Sequence, residues 1–395
     1  MNGKIYIPYP SQVIFSCGGK WVSLIMFKEI ISFENLLIGY REARRSKRYQ
    51  NYTLRFSRRL EDELLKLREE LRGQIYKPSG YREFVIYEPK RREIKAPAFR
   101  DRVVHHALCR IIEPIFDDGF IYNSYACRKN KGTHRAVKKL RKFLWSIRTR
   151  EQQKRNGSRP MIYCLKCDVS KYFASVDHKI LFRLILKKIK DRKTAWLVNK
   201  IIRSGEDKAG KGIPIGNLTS QLFANVYLNE LDQFMKHRLR EKYYLRYMDD
   251  FLVLGTDKAE LRRVRDKIKN FLKNELDLSF NPKKVRLSPI NKGIDFLGYV
   301  VFLNFVLLRS STVKRWKKKI KNVEDDNMES LLTSWYGYTK HADAYRIYSK
   351  YSLFSGHSEK YLGDSPPKSD AGSPHLERSP RRKIEFVKKS TRKIN

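Results

Sequence analysis

The stretch Tyr243-Tyr244-Leu245-Arg246-Tyr247-Met248-Asp249-Asp250-Phe251-Leu252-Val253-Leu254 sets two acids between two apolar half-strands. It reads as a β-hairpin with carboxylates at its turn, because the flanking runs favour burial and the turn is where charge stays near water. Upstream, Met161-Ile162-Tyr163-Cys164-Leu165-Lys166-Cys167 is a mostly apolar run ending in Asp168, the pattern of a buried strand with an acid at its tip. Three acids are too few for calcium. They suit a pair of magnesium ions, with manganese as the alternative, because such ions keep waters and borrow substrate phosphate oxygens. A lone Asp-Asp turn is more often structural, so the pair has to be read with its surroundings.

Outward from this centre, Phe27, Ile30, Ile31, Phe33, Leu36 and Leu37 recur at helical spacing, and Leu60 to Leu67 continue it, so 27–72 is expected to be helical. Strands are expected at 84–87 and 92–95, turned by Pro89, then a helix over 99–116. Helices are expected over 177–190, 219–240 and 257–276, with a Gly-rich turn at 210–216 and short strands over 277–302. This order predicts an α+β fold, a sheet with helices packed on one face. Residues 313–350 read as basic and helical. From Gly356 the chain turns to Ser, Pro, Lys and Arg, too polar to bury a core, and is expected to be disordered apart from a short turn at Ile384–Val387. Residues 1–26 read as an N-terminal extension, whose apolar patch Trp21–Phe27 is too short to span a bilayer.

Lys and Arg number 85 against 42 Asp and Glu, leaving +43, which repels itself unless a polyanion neutralises it. Nucleic acid is therefore the expected partner, with a ribosome-associated or merely soluble basic protein as the alternative. The five cysteines are scattered; Cys164 and Cys167 form a C-x-x-C, but it lies in a buried strand without a second ligand pair, and both are read as core residues. His105, His106 and Cys109 are likewise read as packing residues. A reducing cytoplasm follows, with no membrane association.

From about 27 to 350 the chain resembles the reverse transcriptase family, on several motifs in the family's order. Tyr247-Met248-Asp249-Asp250 matches its catalytic hairpin, and Asp168-Val169-Ser170-Lys171-Tyr172-Phe173 its first acidic motif. The resemblance implies a right-hand polymerase fold with an antiparallel palm sheet and a helical thumb. Fingers with part of the palm would span 27–160, the palm 161–305, the thumb 306–355 and the tail 356–395. It implies two metal ions held by Asp168, the Val169 carbonyl, Asp249 and Asp250, acting on dNTPs and a primer on RNA. It implies Phe173 as a gate against a ribose 2′-hydroxyl, with ordinary packing as the alternative, and Tyr172 beside it near the nucleotide. Arg92 would meet the triphosphate, and Lys284 or its neighbour Lys283 would protonate pyrophosphate. Arg100, Arg128, Lys129, Lys131, Tyr247, Met248 and Gly298 would contact nucleic acid, Gly298 within the primer-grip-like Phe296-Leu297-Gly298-Tyr299.

Within that family, Gly212-Ile213-Pro214-Ile215-Gly216-Asn217-Leu218-Thr219-Ser220-Gln221 departs from the usual pattern. Ile215 stands where most members carry Gln, and Ser220-Gln221 where they carry Ser-Pro. Ser124 to His134 and Ser334 to His341 share the likeness to diversity-generating retroelement reverse transcriptases, of the group II intron-like bacterial lineage. That resemblance implies copying of a template-repeat RNA into cDNA with errors at adenines, a small basic oligomeric accessory variability protein, and a bacterial, archaeal or phage source. Ile215, Gly216 and Gln221 would then lie by the incoming nucleotide. A phage-defence or group II intron-type enzyme is the alternative, and a non-catalytic RNA-binding scaffold the alternative of another class.

Overall fold

The computed structural model describes residues 21–344, except 88–90, 155, 159, 207–208 and 323–324, and only the backbone of 21–25 and 325–327. Residues 1–20, Pro89, the end of the expected thumb at 345–355 and the tail at 356–395 lie outside the described residues. A helix over Trp21–Ile30 runs through the expected boundary at residue 26. Among the described residues no helix is long and apolar enough to cross a membrane.

The strands fall into three antiparallel sheets. A hairpin joins β1 (Tyr81–Ile86) to β2 (Arg92–Pro97). A four-stranded sheet holds β3 (Tyr163–Asp168), β4 (Tyr244–Tyr247), β5 (Asp250–Gly255) and β6 (Arg286–Pro289), in the order β4-β5-β3-β6. A small meander holds β7 (Ile294–Phe296), β8 (Tyr299–Val301) and β9 (Val306–Leu308).

The central sheet is buried on both faces, which is why β5 reads as a continuous apolar run. Phe251 and Val253 join the main core, with Leu222 to Leu231 of helix Leu218–Gln233 and Leu261 to Leu276 of helix Lys258–Leu276. The alternate residues Leu252 and Leu254 are buried on the other face, where helix Thr133–Lys154 packs against β4, β5 and β8. The expectation of helices on one face is thus corrected. The second layer is a helix in which Ala136, Val137, Leu140, Phe143, Leu144 and Ile147 form a buried stripe between basic residues.

Before the sheet, helices Phe33–Ala43 and Phe99–Asp117 cross closely. The crossing needs Gly39: a Cβ there would lie 2.8 Å from the Val103 carbonyl oxygen. The expected helix over 219–240 instead ends at Gln233 and continues as a wider turn over Phe234–Arg238, closed by Leu239 N–H on the Phe234 carbonyl at 2.9 Å. The expected helix over 313–350 is two helices, Ser310–Lys321 and Asp325–Thr339, whose Trp316 and Trp335 rings stack at 4.2 Å.

Candidate active site

Strand pairing brings the three acids together. In the β3–β5 ladder Asp168 lies opposite Asp250, and the β4–β5 hairpin pairs Tyr247 with Asp250. Only Met248 and Asp249 remain for the turn, so Met248 takes a left-handed backbone with φ +55°. Val169 N–H donates to the Asp249 carbonyl at 3.3 Å, which ties the end of β3 to the turn. The segment after helix Lys258–Leu276 closes the site from below. Asn281 N–H donates to the Asp168 carbonyl at 2.8 Å, and Asn281 Nδ2 to Asp168 Oδ1 at 3.3 Å.

The electrostatics follow from crowding carboxylates where water is scarce. Burial raises the Asp249 carboxyl above its ordinary value, and repulsion from Asp168 raises it further. Burial pushes Asp250 up to about 6, although Lys166, at 3.3 Å from Asp250 Oδ2, opposes this. Lys284 Nζ donates to Asp168 Oδ2 at 2.5 Å, so of the two lysines considered it is Lys284 that reaches the acids. Among the described residues no three His, Cys, Asp or Glu side chains are grouped so that they alone could hold a metal ion. Asp250 Oδ1 is buried and has no hydrogen-bond partner among the described residues, an acceptor that a hard divalent cation would satisfy.

Residues 77–301 match the family model described as reverse transcriptase (RNA-dependent DNA polymerase), over half of the chain. This chain belongs to the reverse transcriptase family. The protein YkfC of Escherichia coli is 29% identical over 283 residues, covering 61% of this chain and 71% of that protein. The group II intron-encoded protein LtrA of Lactococcus lactis is 24% identical over 343 residues, covering 69% of this chain and 54% of LtrA. The chain thus spans about half the length of that intron-encoded relative. Among solved structures, apo telomerase from Candida tropicalis aligns with a TM-score of 0.47 at 12% identity, over 69% of this chain and 59% of that one. The fold of this reverse transcriptase is the right-hand polymerase fold, with the four-stranded sheet as its palm.

Around the palm of the reverse transcriptase, the β1–β2 hairpin carries Arg92, exposed and close enough for its charge to act on Asp249. Phe173 is half-buried on the short helix Tyr172–Ser175, and its carbonyl accepts from Ile213 N–H at 2.9 Å. Tyr172, whose ring lies 5.6 Å from that of Phe173, is buried in the core and its hydroxyl donates to the Ala224 carbonyl at 2.6 Å. The Ile215 carbonyl accepts from Lys95 N–H at 3.2 Å, which fastens the loop to β2. Gly216, exposed at φ +114°, and Gln221 line a cavity of about 230 Å³ with Arg45, Arg102, His105 and Asn217.

Several residues expected to meet nucleic acid spend their donors inside the protein. Arg100 pairs with Glu70 and lies over the Tyr76 ring. Arg128 donates to Asp117 at 2.5 Å and to the Ile121 and Ser124 carbonyls at 2.8 and 3.1 Å, which makes it a loop brace. Lys131 donates to the Tyr122 carbonyl and sits 3.5 Å from that ring's centre, while Lys129 is exposed. Tyr247 accepts from Thr133 Oγ1 at 3.3 Å. Gly298, at φ +88°, forms the β7–β8 turn, where a Cβ would collide with the Tyr338 hydroxyl. The cysteines of the C-x-x-C are free and buried, and burial pushes the Cys164 thiol up to about 12, in keeping with core residues. His105 is buried, whereas His106 pairs with Glu42 at 3.2 Å.

Two residues escaped the sequence reading. Lys166 shares the face of Asp168 two positions on, a spacing that signals a cation beside the acids. Arg246 interrupts an apolar strand and is wholly buried.

Proposed function

We propose that this reverse transcriptase copies a template-repeat RNA into cDNA with errors concentrated at template adenines, for transfer into a variable repeat of a target gene. Its partners in this reading are the template RNA, a primer, dNTPs and a small basic accessory variability protein. Fingers, palm and thumb are taken as 27–160, 161–305 and 306–355. The observation that carries the reading is Ile215. It occupies a loop fastened to the same strand that presents Arg92, where most of the family has Gln. A glutamine there can donate and accept; an isoleucine can do neither, so one check on the geometry of an incoming nucleotide is missing.

The chemistry is nucleotidyl transfer. Asp168, Asp249, Asp250 and the Val169 carbonyl are the residues that would hold two magnesium ions. When bound, such ions activate a 3′-hydroxyl and stabilise the leaving pyrophosphate. Lys284, already held at Asp168 Oδ2, lies beside the reacting end and is the proposed proton donor to pyrophosphate. Arg92 orients the triphosphate, and Phe173 stands against the sugar so that a 2′-hydroxyl is excluded.

The test is sequencing of cDNA made from a defined adenine-containing RNA by the wild type and by Ile215→Gln. The expected outcome is fewer substitutions opposite adenine in the variant, with extension still measurable; an unchanged spectrum overturns the role of Ile215. The likeness to LtrA favours a second reading, an intron-type reverse transcriptase. Faithful copying by the wild type, with its cognate RNA and accessory protein present, would select it.

A further inference from the structure

Arg246 is the largest fully buried side chain among the described residues. Removing a guanidinium from water is costly unless its donors are matched, and here all five N–H groups are used. Nε donates to Asp232 Oδ1 at 2.8 Å and Nη2 to Asp232 Oδ2 at 2.6 Å. Nη2 also donates to Ser124 Oγ at 3.1 Å, and Nη1 to Asn225 Oδ1 at 3.2 Å. The remaining donor goes from Nη1 to the Met248 carbonyl at 3.1 Å.

That last bond falls on the peptide between Met248 and Asp249. Met248 is a non-glycine residue at φ +55°, a conformation that persists only where its surroundings hold it. The rest of the network binds two further segments to the same guanidinium. Asp232 and Asn225 lie on helix Leu218–Gln233, and Ser124 on the loop before Arg128. Tyr125 N–H donates to the Arg246 carbonyl at 3.0 Å, Asn225 Nδ2 to the Ala126 carbonyl at 2.9 Å, and the Tyr244 hydroxyl to Asp232 at 2.7 Å. A buried ion pair needs its remaining donors matched by acceptors of any kind, and apolar side chains of like volume can often replace the whole pair at little cost. They cannot donate to the Met248 carbonyl.

We propose that Arg246 is the positioning residue of the catalytic turn, holding the Met248–Asp249 peptide and locking it to the palm helix and the Ser124–Arg128 loop. The inference rests on Asp249 and Asp250 as the reacting end and is independent of copying errors at adenine.

Single-nucleotide primer extension tests it in the full chain, with melting temperature, primer–template Kd and dNTP KM measured alongside. The paired replacement Arg246→Met with Asp232→Leu removes both charges together. It is expected to fold and to lose about 100-fold in kcat, the cost of a reacting group displaced by about 1 Å, with KM and Kd within about twofold of wild type. Arg246→Lys keeps the charge but not the fork, and should lose kcat in the same direction. Ser124→Ala removes one partner of the guanidinium and no charge, and should lose about fivefold in kcat in a folded protein whose melting temperature falls by only about 2–4 °C. A folded pair variant with wild-type kcat, or one impaired in Kd or KM instead, overturns the inference. If the pair variant does not fold, an unchanged kcat in Ser124→Ala overturns it. Failure of the polymerase reading would show in the wild type; failure of this inference shows only in the variants.

Discussion

The palm turn and the Gly212–Gln221 loop are both candidate parts of one site, yet they are held in place differently. At the turn, Asp168 is held by Lys284 and Asn281, Asp250 by Lys166, and Met248 by a guanidinium whose donors are all matched. The loop is fastened by backbone bonds, Gly212 and Ile213 N–H on the Val176 and Phe173 carbonyls and Lys95 N–H on the Ile215 carbonyl, and the cavity beside it is lined by unmatched groups. Among the described residues, both ring nitrogens of His105, Asn217 Oδ1 and Arg102 Nε lack hydrogen-bond partners. Buried networks that are fully matched specify one arrangement; unmatched ones leave free energy to be gained by rearrangement. Among the described residues the acid cluster leaves one buried group unmatched, Asp250 Oδ1, whereas the wall beside the loop leaves four.

The largest effect expected from this contrast is at the turn. Asp250→Ala should lower primer extension by at least about 10³-fold, several kcal/mol of transition-state stabilisation, with the fold intact by circular dichroism. A folded variant retaining substantial extension would break the contrast at its better-matched end.

At the loop side, the next largest effect concerns acid stability. Burial, reinforced by His106, holds His105 neutral with its pKa lowered from 6.5 to about 3. The unfolded chain binds that proton first, so the stability is complete above about 6.5 and is lost as pH falls towards 3. Between pH 7.5 and 5, His105→Leu should be spared about 2 kcal/mol of the wild type's loss in urea unfolding. Equal pH dependence in the two proteins would show that the cavity wall is better matched than its geometry indicates.

The smallest effect is expected at Gly216. Its φ of +114° disfavours a side chain, and a Cβ would come within 3.0 Å of Ile94 Cγ2 on β2. Gly216→Ala should cost about tenfold in kcat/KM for dNTP while lowering the melting temperature by only about 2 °C, the effect of strain of about 1 kcal/mol. A fall in melting temperature without a kinetic change would make the loop structural rather than selective.

Much of the centre was readable along the chain. Apolar runs ending in acids gave the strands and put Asp168, Asp249 and Asp250 at their ends, because burial and charge separate at a strand tip. Helix Thr133–Lys154 was not recognised, since its apolar stripe is diluted by basic residues, although the spacing of Ala136, Leu140, Phe143 and Ile147 carried it. The resemblance implies Arg100 and Arg128 as nucleic-acid contacts, yet in the fold Arg100 pairs with Glu70 and Arg128 with Asp117. Charge states that a group needs a partner without stating which one.

By itself, then, the sequence determined the strands, the acids at their tips, the pull towards polyanions and the apolar residue at position 215. These depend on local periodicity and side-chain chemistry, which act over a few residues. Only the tertiary structure decided that Asp168 would face Asp250, that Lys166 and Lys284 would divide the acids between them, and that Arg246 would be buried and not exposed. Ser124 lies 122 residues from Arg246, and their bond exists because the folded palm brings a loop, a helix and a turn to one guanidinium. No local pattern encodes that meeting: it follows from the low-dielectric packing of all three segments, in which a buried charge is tolerated only where each donor finds an acceptor.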